Sequence, residues 1–167
     1  SMEAYVSKIA QPMTDLMCVS AMQLIGTYLP EIYAGSESEE AWNAVTWAST
    51  IGGMVIHTAG VTLPHGMEHP VSGLKNVVHG KGLAALTPVI TQASIPAAPD
   101  KYAVISKCLG GAHETDLVDT LQKLLDKLDL SSTLSELGIK EVDIPWLSEN
   151  CLKVSAASIA NHPRCFD

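Results

Sequence analysis

Wherever the apolar residues of this chain recur regularly, they recur with the period of a helix. Leu117, Leu121, Leu124, Leu125 and Leu128 make one face with charges opposite, the pattern of an amphipathic helix packed on a core. Met13, Met17, Leu24 and Tyr28 keep the same spacing and predict a helix over 12–29 that ends at Pro30. Ser36-Glu-Ser-Glu39 reads as a capping box opening a helix from about residue 37 to Thr58. An apolar segment follows Gly80 and Gly82 to Ile95, where Pro96-Ala-Ala-Pro99 breaks it, and the last helix is expected to begin near Pro145. Alternation with period two, the mark of a half-buried strand, is nearly absent. The expected fold is an all-α multi-helix bundle of about seven to nine helices, with at most two short strands.

At 167 residues the chain is one domain's worth, long enough to bury a substantial core. Ten Lys and Arg against 18 Asp and Glu give a net charge of −8, which argues against nucleic acid or an anionic membrane as partner. Hydrophobic residues make up 47%, yet no uninterrupted apolar run is long enough for a membrane span. Cys18, Cys108, Cys151 and Cys165 have no C-x-x-C spacing and read as buried free thiols of a cytoplasmic protein. Trp42, Trp47 and Trp146 read as core anchors, and Met13, Met17, Met22 and Met54 as helical gap-fillers. Gly52-Gly53 and Gly110-Gly111 are helix-packing or turn pairs rather than phosphate loops.

Against this background one segment stands apart. Leu63-Pro-His-Gly-Met-Glu-His-Pro-Val-Ser-Gly-Leu-Lys-Asn-Val-Val-His-Gly80 holds three of the six histidines, His65, His69 and His79. Imidazole is the commonest protein ligand for a transition metal. His65 and His69 share a helix face, and His79 follows where the next element can close on the same ion. The three fixed residues of His65-Gly-Met-Glu68-His69 also fit the H-x-x-E-H pattern of inverted zinc peptidases, with Glu68 as base. Gly66 and Pro70 disfavour the helix that reading needs, and it leaves His79 unused. Glu68 reads instead as a rim or supporting group. His57 reads as a pocket or core histidine, His113 as exposed or a cap, and His162 as shaping a turn.

The whole segment, His65-Gly66-Met67-Glu68-His69-Pro70 followed by Val78-His79-Gly80, resembles the iron-containing (group III) alcohol dehydrogenases. Glu3-Ala-Tyr-Val-Ser7, Ala48-Ser49, Ala59-Gly60, Leu134-Ser-Glu-Leu-Gly-Ile139 and Asn161-His-Pro-Arg164 resemble further landmarks of that family, in the same order. The resemblance implies the family's C-terminal helical domain, of the dehydroquinate synthase-like superfamily. It implies His65 and His79 as metal ligands, with His69 beside the nicotinamide and the reacting alcohol as a catalytic and cofactor-contacting residue.

The family completes its site with an Asp and a His four apart on an earlier helix, just before the Glu-Ala-Tyr-Val-Ser segment. No such pair stands there in this chain, and no Gly-rich dinucleotide turn occurs. Ser1 and Met2 therefore read as a scar of expression, and residues 3–167 as a helical metal-binding and catalytic domain truncated at both ends. The N-terminal dinucleotide-binding domain is absent on this reading. The resemblance then implies a piece of a metal-dependent NAD(P)-linked alcohol dehydrogenase, acting on a small alcohol or aldehyde with Fe²⁺ or Zn²⁺. The chain alone is expected to be inactive, to hold little metal, and to self-associate through the face a second domain would cover. The alternatives are a dehydroquinate synthase-like lyase or a non-catalytic helical interaction domain.

Overall fold

The computed structural model describes residues 1–166. Among them are nine α-helices and no strand: α1 Met2–Val6, α2 Pro12–Tyr33, α3 Glu39–Ala59, α4 Leu63–Lys75, α5 His79–Ser94, α6 Pro99–Cys108, α7 Leu117–Lys127, α8 Ile144–Val154 and α9 Ala156–Asn161. The all-helical expectation holds. None of the helices is long and apolar enough to cross a membrane.

The longest pair, α2 and α3, packs side by side, and α1, α6 and α7 close the main core around Val6, Cys18, Met22, Ile51, Val55, Ile105 and Leu117. A smaller core joins α4 to α8 through Val71, Leu147 and Ile139. Leu134 packs on this second core, and its carbonyl accepts from the Ile139 amide at 2.9 Å. The Leu134–Ile139 landmark is thus a turn that plugs the second core. Another landmark pair meets in space. Gly60 has φ +68° and ends α3, and the Asn161 side chain donates to the carbonyls of Ala59 and Val61 at 3.0 and 3.2 Å. A Cβ at Gly60 would lie 2.8 Å from Asn161 Nδ2, so both the backbone conformation and the close approach require glycine there.

Several local expectations need correction. Helix α2 runs through Pro30 to Tyr33. Proline forfeits only its own donor, and its carbonyl still accepts from the Ala34 amide at 3.1 Å, so one more turn forms. The cap of α3 is Ser38, which accepts from the Ala41 amide at 3.2 Å, rather than Ser36. Helix α8 begins as expected around Pro145, but α9 follows it. Gly66 and Pro70 lie inside α4; Gly66 passes close to Ser155 and Ser158, and tertiary packing outweighs local propensity.

The tryptophans are not core anchors. Trp42, Trp47 and Trp146 are 53, 54 and 45% exposed. The inward face of α3 is built from Ala41, Ala48, Ile51, Val55 and Ala59, small enough for close packing on α2, and the bulky residues turn outward. Met22 is buried and Met17 packs beside the core, but Met13 and Met54 are exposed. Of the cysteines, Cys18 and Cys151 are buried, Cys108 is half-buried and Cys165 is exposed.

Candidate metal centre

Helix α4 carries His65 and His69 one turn apart, as their spacing demands. It ends at Asn76, whose φ of 52° and ψ of 38° place it in the left-handed region, a conformation asparagine tolerates better than most. That turn brings Val78 round as the cap of α5 and makes His79 the first residue of the new helix. The three rings converge. Centroids of His65 and His79 are 5.1 Å apart, those of His69 and His79 5.6 Å, and those of His65 and His69 5.8 Å.

Two glutamates hold this group from behind. Glu3 of α1 is hydrogen-bonded through Oε1 to His65 Nδ1 at 2.5 Å. Its other oxygen accepts from the Thr62 amide at 2.8 Å, the Thr62 hydroxyl at 3.2 Å and the His65 amide at 3.4 Å. The start of α4, which has no side-chain cap of its own, is thereby capped by a carboxylate from another helix, where unpaired amides and the helix dipole favour negative charge. Burial alone would raise the Glu3 carboxyl, but the His65 ring and the two amides outweigh it and hold it below the usual carboxylate range.

Glu68 is wholly buried. Its Oε2 is hydrogen-bonded to His79 Nδ1 and its Oε1 accepts from the Ser72 hydroxyl, which also lies 3.0 Å from the Val77 carbonyl. Neither the His65 nor the His79 ring makes another hydrogen bond among the described residues. With Nδ1 engaged, Nε2 is the nitrogen each ring has left to offer. The buried position of Glu68 also removes it as a peptidase base, because water cannot reach it. Nor is it a rim group.

In front of His65 and His69 lies an open cleft of about 880 Å³, lined also by Lys8, His57, Ser158 and Asn161 together with apolar residues that include Ile9, Ile56 and Val61. His57 is a pocket histidine. His113 is exposed and caps the turn before α7. His162 is buried, lies 2.8 Å from the Ser94 hydroxyl through Nε2, and is pushed down to about 4 by burial. Sequence reasoning missed the part played by Glu3. Its partner is 62 positions away, so no local spacing could signal it.

The site is a histidine cluster held by carboxylates between the helices of an all-α domain, and the comparisons give the family of that domain. The profile described as "Fe-containing alcohol dehydrogenase family, C-terminal" matches residues 1–167. The chain belongs to this family. It is 31% identical to the 1,3-propanediol dehydrogenase of Citrobacter freundii, over 92% of this chain and 42% of that protein. Identity to the NAD-dependent methanol dehydrogenase of Bacillus methanolicus is also 31%, with the same coverage of 92% and 42%. A crystal structure of 1,3-propanediol oxidoreductase superposes with a TM-score of 0.91 at 29% identity, covering 99% of this chain and 45% of that one. The chain therefore spans less than half the length of these relatives.

Proposed function

We propose that this chain is the metal-binding half of a metal-dependent, NAD(P)-linked alcohol dehydrogenase that interconverts a small alcohol with its aldehyde or ketone. The observation that carries this reading is the convergence of the His65, His69 and His79 rings from two helices, with His65 and His69 lining an open cleft. The donor set fits a divalent ion such as Fe²⁺ or Zn²⁺. Imidazole nitrogens suit both metals, and each of two rings is already held through its other nitrogen by a carboxylate. His65 and His79 would be the ligands. A bound ion would supply the Lewis acidity that lowers the pKa of an alcohol, and a nicotinamide cofactor would supply the hydride acceptor.

The chain's own residues do the rest. By holding an ion, His65 and His79 would set where the alcohol oxygen lies. His69, exposed at the cleft, takes up the alcohol proton on a ring nitrogen and passes it to solvent. Ile9, Ile56 and Val61 line the cleft and shed water from the carbon end of a small substrate. The family match favours this over a lyase of the wider superfamily. All four cysteines are free thiols, which supports a reducing, cytoplasmic setting. The outward Trp47 and Met54 on α3 support self-association through that face.

Catalysis requires a dinucleotide site, and residues 1–167 contain no Gly-rich phosphate turn, so the reading places that site on a second domain. The test is a two-domain protein carrying this sequence, loaded with Fe²⁺ or Zn²⁺ and assayed with NAD⁺ or NADP⁺ across short primary alcohols and diols. Turnover should appear, and His79→Ala should remove at least about three orders of magnitude of kcat/KM. Full activity in His79→Ala would sink the reading.

A further inference from the structure

We infer that Glu3 and Glu68 are positioning residues that preset the ring tautomers of His65 and His79, so that the site is assembled before any ion arrives. The inference rests on the metal-site reading only for its purpose; the positioning itself stands on geometry. Free imidazole divides its proton between two nitrogens, and a ligand ring must keep the coordinating one bare. An ionised carboxylate can only accept. A ring nitrogen hydrogen-bonded to it must therefore carry the proton, leaving Nε2 as the bare donor.

The arrangement is built rather than incidental. Each histidine is held by a helix other than its own, His65 on α4 by Glu3 of α1 and His79 on α5 by Glu68 of α4. The ring separation of 5.1 Å between His65 and His79 is thus set by how three helices pack. Glu68 is fully buried, and both its oxygens are occupied by donors, Ser72 and His79. The facing residue of α5 is Gly82, where a Cβ would lie 2.5 Å from Glu68 Oε1 and 2.8 Å from its Cγ. A fully desolvated carboxylate is kept only where its partners are supplied, and here one partner is the ring to be oriented.

The same cluster offers a rival arrangement. Ligand atoms of Glu68, His69 and His79 lie within 4.8 Å of one another, so Glu68 could instead bind an ion directly. An ion on Oε2 would compete there with His79 in a site without exposure, whereas positioning uses the contacts as they stand. The two alternatives respond differently to glutamine. In Glu68→Gln the side-chain carbonyl can still accept from His79 Nδ1, but a neutral amide is a poor direct ligand.

The test uses the chain as it exists, uniformly ¹⁵N-labelled and metal-free, at about pH 9 where imidazole is neutral. Long-range ¹H–¹⁵N correlation spectra read the tautomer of each ring. In the unaltered chain His65 and His79 should both carry the proton on Nδ1. Glu68→Ala should return His79 alone to a mixture, Glu3→Ala should do so for His65 alone, and Glu68→Gln should keep His79 as it was. Calorimetric titration with Zn²⁺ should show a loss of about 10- to 100-fold in Glu68→Ala and less than about 3-fold in Glu68→Gln. Nε2–H tautomers in the unaltered chain overturn the inference without any variant. Equal losses in Glu68→Gln and Glu68→Ala overturn it in favour of direct ligation. Preset tautomers in an enzyme without dehydrogenase activity would count against the proposed reaction and leave the positioning intact.

Discussion

Behind the histidines this molecule buries charge; along the outward faces of α2 and α3 it exposes large apolar side chains. Both invert the common rule, and they do so for different physical reasons. Glu3 and Glu68 are held inside by specific hydrogen bonds, so their cost of desolvation is offset contact by contact. Met13, Leu16, Trp47 and Met54 are 67, 75, 54 and 50% exposed and are held by nothing comparable. A carboxylate inside the fold needs donors for its oxygens. Apolarity outside it needs only that the inward face of the same helix be apolar enough to dock. Substitutions in the first region should therefore be severe and geometry-dependent, and those in the second mild.

The severest is expected at Gly82. Replacing it with Ala adds up to about 1 kcal/mol of helix propensity, yet the new methyl would stand 2.5 Å from Glu68 Oε1. Overpacking typically costs about 1–3 kcal/mol, and pushing Glu68 off its donors would leave a buried polar group short of partners, about 1–3 kcal/mol more. Even with relaxation, Gly82→Ala should lose about 3 kcal/mol net. For a chain of this size that is a fall in melting temperature of roughly 6–12 °C. A melt unchanged or raised would show that Glu68 moves freely, and the contrast between the two regions would break at its strongest point.

Gly82 also marks how far the sequence could be read. The all-helical class was legible because helical period survives wherever a face must be buried, as at Leu117, Leu121 and Leu128. The histidine cluster was legible because all three rings lie within fifteen residues, and α4 and α5 are joined by a short turn. What makes the cluster rigid was not. Glu3 lies on α1, and its use depends on α1 docking across the start of α4, a tertiary fact without local spacing. Glu68 could be read only as a rim or supporting group, because its direction is set by Gly82 and His79 on another helix. Trp42 and Trp47 on α3 misled for a related reason. Hydrophobicity says that a side chain would gain from burial, but the small-residue face of α3 had already taken the inward side. Pro30 and Pro70 misled because one lost donor does not end a helix whose neighbouring bonds and packing persist.

A middle-sized effect should appear with pH. Burial holds His162 at about 4, against an ordinary histidine near 6.5. The folded state therefore resists protonating this ring while the unfolded chain accepts the proton. The resulting stability is complete above about pH 6.5, declines as pH falls toward 4, and changes no further below that. After discounting for partial solvent screening, the loss across this window should be roughly 2 kcal/mol. Glu3, with its carboxyl held low, adds its own loss only at more acidic pH, below the unfolded carboxylate value. Chemical denaturation of the chain and of His162→Gln from pH 7 to pH 4 separates the two. The variant should start less stable and lose less over the interval. Parallel curves would mean that His162 is not the group responsible.

The smallest effect is expected on the exposed side, at Met13. A methionine in a regular helical pattern reads as core, yet this one is 67% exposed near the start of α2. Met22, on the same helix, is the one buried. Glutamine matches methionine closely in length and helix propensity, so Met13→Gln removes apolar surface while leaving the helix otherwise alone. Because little of that surface leaves water on folding, stability should change by less than about 0.5 kcal/mol, read as an unchanged denaturation midpoint and slope. The amide of Met13 still donates to Gln11 at the cap, since on the Met13 side that contact uses only backbone. A loss above about 1 kcal/mol would mean that this side chain is covered in solution. The exposed faces of α2 and α3 would then be a buried surface of an assembly, and the contrast with the charged interior would narrow to a difference in what does the covering.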